Sequence, residues 1–280
     1  MNKLISNHEE VEKKINNIKK SGSELLHVLA DFDRTLTYWT VDGIKTPSII
    51  SMLRDGNHLT EDYADKAHAL FNKYHAIEID PTIPLDEKKL AMQEWRETHN
   101  KLLIKSWLSI EDLRDIASNR QVKFRDGMDY FLKTLNDLNI PLVILSASGC
   151  WDAIELFFEH HKVNYPNIFY VTNQFNWDEN GKALWTKWPI IHGMNKDETI
   201  LKNIPEIYEK IKDKKNVILL WDSISDLWMI EWFECDTLLK IWFLNNDFDL
   251  LRDEYMKSFD IVLEWDVDFT EVNKLLSETH

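Results

Sequence analysis

The sequence predicts an α/β protein, in which a parallel sheet is covered by helices on both faces and interrupted early by a helical insertion. Three observations carry that expectation. Short apolar runs alternate with amphipathic stretches through the second half of the chain, the pattern of repeated strand–helix–strand units. A block from about residue 45 to 120 breaks the alternation and reads as helix throughout. Aspartates and serines gather where the apolar runs stop, and ligands of such sheets bind at those carboxyl ends.

Taken in order, His8 to Lys20 reads as a polar surface helix. Leu25 to Ala30 is an apolar run ending in aspartates, hence a buried strand. Pro47 to Ile116 carries helical periodicity, broken at Pro81 and Pro84. Asp126 to Leu138 forms an amphipathic helix that stops before Ile140-Pro141. Strands follow at Pro141–Ser146, Ile168–Thr172, Val217–Leu220, Leu238–Phe243 and Ile261–Glu264. Between and after them, helices are expected at Asp152–His161, Lys196–Ile211 (broken near Pro205), Asp226–Phe233 and Val267–Leu276. Residues 1–44 and 121–280 would make the core, and residues 45–120 a helical cap that could serve as a lid.

At 280 residues the chain can form one large domain, or a core with a smaller companion. A net charge of −15 argues against wrapping a nucleic acid, which requires a basic face. A small anionic substrate stays compatible, because a metal ion and one lysine reverse the field locally. Cys150 and Cys235 are far apart and lack metal-ligand spacing, which suits a reducing compartment. Met1 to Lys20 has no apolar core, so no signal peptide is expected, and no apolar run nears a bilayer span. A cytoplasmic monomer, without membrane or nucleic-acid polymer as partner, is the expectation.

The chemistry is concentrated at the strand ends. In Asp31-Phe-Asp33-Arg-Thr35-Leu36 two carboxylates spaced by two project to one side of an extended strand end. Like charges so close require a cation between them or a proton on one. Either arrangement serves a phosphatase: Asp31 attacks phosphorus, and Asp33 protonates the leaving alcohol and then deprotonates water. Ser146 follows a buried strand and offers a hydroxyl, with backbone amides beside it, to a phosphoryl oxygen. Lys196 supplies a cation for the same group, and Asp222 a hard-oxygen ligand for Mg²⁺. Alone, each has a plainer structural reading: the aspartates at turns or helix caps, Ser146 at a helix N-cap, Lys196 in solvent. Their order, each near the end of an expected strand, is what gives them weight together.

On these residues the chain resembles the haloacid dehalogenase superfamily and, within it, the cytosolic 5'-nucleotidase III (pyrimidine 5'-nucleotidase) family. The likeness runs from Ala30 to Leu276. It includes Asp31 to Leu36, Tyr74-His-Ala-Ile-Glu-Ile-Asp-Pro81, Glu94-Trp95, Ile140 to Ala147, Asn195-Lys196 and Leu220-Trp-Asp-Ser223. The stretch Ile77 to Pro81 in the insert is the part more specific to the nucleotidases. The resemblance implies a Rossmann-like core with an inserted α-helical cap, and hydrolysis of a nucleoside 5'-monophosphate (pyrimidine or 7-methylguanosine type) through an aspartyl-phosphate. It also implies Mg²⁺ held by Asp31, Asp33 through its backbone carbonyl, and Asp222, with phosphate held by Ser146, the Ala147 amide and Lys196. Glu78 would reach from the cap to the nucleobase, and His99 stands where relatives can carry a base-contacting serine. Alternatives are a phosphatase of another small phosphomonoester, or a catalytically silent binding module blocked by Trp221.

The resemblance also brings an anomaly into view. The chain has 7 glycines and 12 tryptophans, whereas about 7% glycine is usual. Relatives usually have glycine at the positions of Trp151, Trp185, Trp221, Trp228, Trp232 and Trp242. An indole at Trp221, directly before Asp222, is expected to fill the substrate pocket or distort the sheet end. One reading is a remodelled site. The reading preferred here is a gene whose UGA codons mean glycine, which UGG codons at Trp221 and Trp228 would eliminate.

Overall fold

The computed structural model describes residues 3–147, 151–196, 198–222, 235–246 and 248–279. The chain opens with β1 (Lys3–Ile5), α1 (His8–Ser21) and β2 (Leu26–Ala30), then a short hairpin of β3 (Thr40–Val41) and β4 (Ile44–Lys45). Four helices follow: α2 (Ile49–Asp55), α3 (Tyr63–Ile79), α4 (Leu85–Lys105) and α5 (Ile110–Ala117). Alternation begins with α6 (Met128–Asp137), β5 (Leu142–Leu145), α7 (Trp151–His160) and β6 (Ile168–Val171). A second hairpin, β7 (Phe175–Trp177) and β8 (Ala183–Thr186), leads to α8 (Glu198–Lys202), α9 (Pro205–Ile211) and β9 (Asn216–Trp221). The chain closes through β10 (Thr237–Leu244), α10 (Phe248–Ser258), β11 (Ile261–Glu264) and α11 (Thr270–Glu278).

Seven strands form the main sheet in the order β1-β11-β10-β9-β2-β5-β6. All are parallel except β1, which pairs antiparallel with β11 at the edge. From central β2 the chain builds outward to β5 and β6 on one side, then crosses to β9, β10 and β11 on the other. The connection therefore reverses direction beside β2, the place where such sheets leave a crevice.

Strand periodicity sorts the core into two faces. Leu26, Val28, Ala30, Ile218 and Leu220 join one cluster with Ile18, Phe131, Phe157 and Leu275 of the covering helices. Leu29, Leu219 and Trp221 point the other way, into a cluster with Ile207, Ile211 and Tyr255. Both faces are covered, which is why these strands read as continuous apolar runs rather than alternating ones.

Local chemistry sets several boundaries. Asn7 caps α1 by accepting from the Glu10 amide at 3.2 Å. Ser109 and Asp112 form a reciprocal capping box on α5. Pro81 and Pro84 separate α3 from α4, and Asp80 closes the turn by accepting from the Thr82 amide at 2.8 Å. Among the described residues no helix is long and apolar enough to cross a membrane.

The expected elements recur within two or three residues, with β1, the two hairpins and α10 added. The expected helix at Asp226–Phe233 lies outside the described residues. At three residues, β1 is too short to show a period of two; its edge position makes the sheet mixed rather than wholly parallel.

The tryptophans divide by backbone conformation. Trp107 follows α4 in the left-handed region, with φ 68°, and is 68% exposed. Its amide donates to the Ile104 carbonyl, and the Leu108 amide donates to the Leu103 carbonyl, each at 3.2 Å. This pair of bonds ends a helix through a residue that is ordinarily glycine. Trp265, with φ 76° and 57% exposed, is a second such position. By contrast Trp221 and Trp242 are buried in paired strands, in register with each other. The expected distortion of the sheet end at Trp221 does not occur, since β9 stays in register with β10 through that residue. Trp228 and Trp232 lie outside the described residues.

Left-handed backbone costs a residue with a Cβ roughly 1–2 kcal/mol, partly offset by glycine's greater unfolded-state entropy. Trp107→Gly and Trp265→Gly are therefore each expected to raise stability by roughly 0.5–1 kcal/mol, read as a higher urea midpoint. A lower midpoint in both would show that the indoles contribute more than the backbone loses.

Candidate active site

β2 delivers Asp31 to the carboxyl end of the sheet. Its amide donates to the Leu220 carbonyl at 3.2 Å, so the pairing of β2 with β9 extends one residue beyond the strand. Asp31 remains extended, with φ −76° and ψ 160°, which sends its side chain to the same face as Leu29 and Trp221. The chain then turns sharply: Asp33 has φ −63° and ψ 121°, and Arg34 is left-handed at φ 65°. Thr37 braces the turn, accepting from the Arg34 amide at 2.8 Å.

Lys196 meets Asp31 directly. Its Nζ donates to Asp31 Oδ1 at 2.8 Å, and both residues are buried. Asparagines hold the loop that brings the lysine there. Asn173, fully buried, donates to the Ile191 carbonyl at 2.8 Å and accepts from the Ile191 amide at 2.9 Å. Asn195 accepts from the His192 amide at 2.8 Å and donates to the Ile190 carbonyl at 2.9 Å. The Lys196 ammonium also lies 5.1 Å from the centre of the Trp221 ring, within range of a cation–π contact.

Ser146 directly follows β5, beside β2. It is buried, and its amide donates to the Val171 carbonyl at 3.1 Å, with Ala147 next along the chain. Asp222 follows β9 on the other side of β2. Asp31, Ser146 and Asp222 thus follow three neighbouring strands, and Asp31 binds Lys196. Among the described residues, no three acidic, histidine or cysteine side chains gather tightly enough to enclose a metal ion. Asp31, Asp222 and the Asp33 carbonyl offer two carboxylates and a backbone oxygen, the kind of hard donors Mg²⁺ takes with water filling the remainder.

The helical block reaches the same loop. Glu78, at the end of α3, accepts from or pairs with His75 Nδ1 at 3.0 Å. Its Oε1 lies 3.6 Å from the point where a Cβ on Gly193 would stand, three residues from Lys196. Nearby, Tyr74 stacks on Trp95 at 5.9 Å, and Phe71 stacks on His75 at 4.9 Å. His99 is placed differently. It is buried on α4 with Nε2 hydrogen-bonded to the Tyr63 hydroxyl at 3.0 Å. Tyr63 begins α3 and Glu78 lies in its last turn, about 22 Å apart by helix rise.

Some residues that shape the site gave no signal in the sequence. Arg125 is 1% exposed and donates to the carbonyls of Arg34, Thr35 and Val267. It also pairs with Asp266 at 3.1 Å. Asn173 and Asn245 resemble any loop asparagine until their partners are known.

A mostly parallel sheet that reverses beside β2, with aspartates at the ends of β2 and β9 and a lysine bound to the first of them, has the fold and the polar groups expected of an α/β phosphatase core. The family model for pyrimidine 5'-nucleotidase (UMPH-1) matches residues 34–280. A 7-methylguanosine phosphate-specific 5'-nucleotidase of Homo sapiens is 34% identical over 267 residues, covering 95% of this chain and 88% of that protein. A Xenopus laevis counterpart, form A, is 32% identical over 269 residues, covering 96% and 92%. The solved structure of cytosolic 5'-nucleotidase IIIB bound to cytidine superposes with a TM-score of 0.89 at 29% identity, covering 99% of this chain and 93% of that one. A phosphoserine phosphohydrolase-like protein from Francisella tularensis shares the fold, with a TM-score of 0.51 at 17% identity. The chain belongs to the pyrimidine 5'-nucleotidase (UMPH-1) family and is a phosphoric monoester hydrolase.

Burial leaves three histidines neutral: His27 and His192 are pushed down to about 4, and His99 to about 3. Below about pH 6.5 the unfolded chain takes up protons that the folded chain refuses. Stability is therefore expected to fall as pH drops from 6.5 toward 4, by up to about 1.4 kcal/mol per unit for each histidine. Urea midpoints between pH 7 and 5 should show a shallower fall in His99→Gln; an identical slope would mean His99 titrates alike in both states.

Proposed function

We propose that the enzyme hydrolyses a nucleoside 5'-monophosphate of pyrimidine or 7-methylguanosine type through an aspartyl-phosphate on Asp31, with Mg²⁺ as cofactor. The observation that carries this is the buried Asp31–Lys196 pair at the reversal point of the sheet. An Asp31 oxygen attacks phosphorus as the bond to the 5'-oxygen breaks, and Asp33 gives that oxygen a proton. Water then attacks the acyl phosphate, losing a proton to Asp33, and phosphate leaves with Asp31 restored. Lys196, the Ser146 hydroxyl and the Ala147 amide hold the phosphoryl oxygens against the charge that builds in transfer. The carboxylates of Asp31 and Asp222 and the Asp33 carbonyl would hold the Mg²⁺, which neutralises phosphoryl charge when bound.

Residues 1–44 and 121–280 act as the core in this reading, and residues 45–120 as the cap. Closure of the cap would exclude water and bring Glu78 to the base. Supporting this is the closeness of Glu78 to Gly193 on the lysine loop, beside the aromatic surfaces of Tyr74, Trp95 and Phe71. An ionised Glu78 accepts from the exocyclic amino group of cytosine or guanine, which uracil lacks. His99, bonded to Tyr63, would support the base site from within the helical block rather than touch the base. The substrates named for the two relatives above, and the cytidine in the solved structure, agree with this class.

One observation keeps a second reading in view: Trp221 lies under the lysine, so the site could bind nucleotide without turning it over. Phosphate release from cytidine, uridine, adenosine, guanosine and 7-methylguanosine monophosphates separates the two. We expect magnesium-dependent release, lost by roughly 1,000-fold or more in Asp31→Asn. Glu78→Gln should lower kcat/KM for the amino-bearing bases roughly 10-fold relative to uridine monophosphate. Binding with no release by the wild-type chain would favour the silent module, and release only from phosphoserine or sugar phosphates would remove the nucleotidase.

A further inference from the structure

Arg34 holds a left-handed conformation immediately after Asp33, which costs a residue with a Cβ roughly 1–2 kcal/mol unless its surroundings enforce it. Three side chains do so. Arg125 Nη2 donates to the Arg34 carbonyl at 2.6 Å, and Nε to the Thr35 carbonyl at 2.8 Å. Asn245 donates to the same Arg34 carbonyl at 3.1 Å, while accepting from Arg125 at 2.8 Å. Thr37 takes the Arg34 amide.

A fully buried guanidinium is an expensive way to fill space, since a hydrophobe of similar volume is often as stabilising or more so. Its partners here are the turn carrying Asp33, the ends of β10 and β11, and Asp266. Asp266 also accepts from the amides of Trp39 and Thr40, at 2.7 and 2.8 Å, in the strand leading to the helical block. The rings of Phe243 and Tyr38 flank the guanidinium at 4.4 and 5.4 Å, so it has little freedom to move.

We propose that Arg125 is a positioning residue for proton transfer, fixing the Asp33–Arg34 turn so that the Asp33 carboxyl meets the leaving oxygen while Asp266 ties the same guanidinium to the root of the helical block. The inference rests on the acid/base role of Asp33 in the reading above. It assigns Arg125 no contact with substrate.

Leaving-group dependence tests it. A 5'-alkoxide needs a proton to depart, whereas p-nitrophenolate leaves unaided, so a misplaced acid slows the first far more than the second. In Arg125→Met, kcat/KM for a nucleoside 5'-monophosphate should fall about 100-fold and kcat/KM for p-nitrophenyl phosphate less than about 5-fold, since the later attack of water, common to both esters, does not enter kcat/KM. Arg125→Lys should recover part of the loss, because an ammonium can still donate to one of the two carbonyls. Asn245→Ala, which keeps the guanidinium, should show the same split at about 10-fold, and it decides the matter if Arg125→Met does not fold. Equal losses on both esters in folded variants, or no loss on either, would overturn the proposal. If the wild-type enzyme cleaves some other alkyl phosphate but no nucleotide, only the nucleotide reading falls, and the same split is measured on that ester.

Discussion

The buried pair of Asp31 and Lys196 constrains more of this molecule than any other contact. Taking a carboxylate and an ammonium out of water costs several kcal/mol each, recovered only when the two charges meet closely and their neighbours are polar in the right places. Breaking such a pair by removing one partner typically costs about 3–5 kcal/mol. The surroundings are consistent with that demand: Asn173 and Asn195 pin residues 190–195 by side-chain bonds to backbone, so the lysine reaches the end of β2 from a loop with little slack. Parallel pairing fixes the other half, since the Asp31 amide is bonded to β9.

From that pair the sheet explains the remaining geometry. Asp31 and Trp221 point to one face because they end neighbouring strands in matching register, and Lys196 covers that face. The indole is thus part of the floor beneath the ammonium, packed with Leu29, Val143 and Leu145. A large apolar ring at this place adds buried area and a cation–π contact while β9 keeps its register. Among the described residues the tryptophans with glycine-like backbone are elsewhere: Trp107 and Trp265 have the backbone that glycine favours and much of their indole in water. Burial and backbone conformation therefore give different answers for tryptophans that composition alone treats as one group.

Much of the fold was legible because both sheet faces are covered, so strands such as Leu26–Ala30 and Asn216–Trp221 appear as unbroken apolar runs. The candidate site was legible where it is local: Asp31 and Asp33 are two residues apart, and Asp222 follows its strand directly. What stayed hidden depends on distance in the chain. Arg125 is separated from Arg34 by 91 residues and from Val267 by 142, and no periodicity marks a residue whose partners are backbone carbonyls. The partner of His99 was equally hidden, since Tyr63 lies 36 residues before it on α3. Short β1 and the hairpins escaped because strands of two to four residues carry no readable pattern.

The helical block and the lysine loop meet at one residue without a side chain. Glu78 Oε1 lies 3.6 Å from where a Gly193 Cβ would be, so even a methyl group there would touch the carboxylate, and a larger chain would have to displace it. Gly193 sits between His192, bonded to Asn195, and the lysine itself. The loop that presents the buried cation to Asp31 is therefore the same surface against which the end of α3 rests. A shift of α3 changes the wall beside Lys196, and a shift of the loop changes the space before Glu78. In the proposed reading, phosphate-side and base-side chemistry would be coupled by this contact, through a few residues of backbone rather than through a long path of side chains.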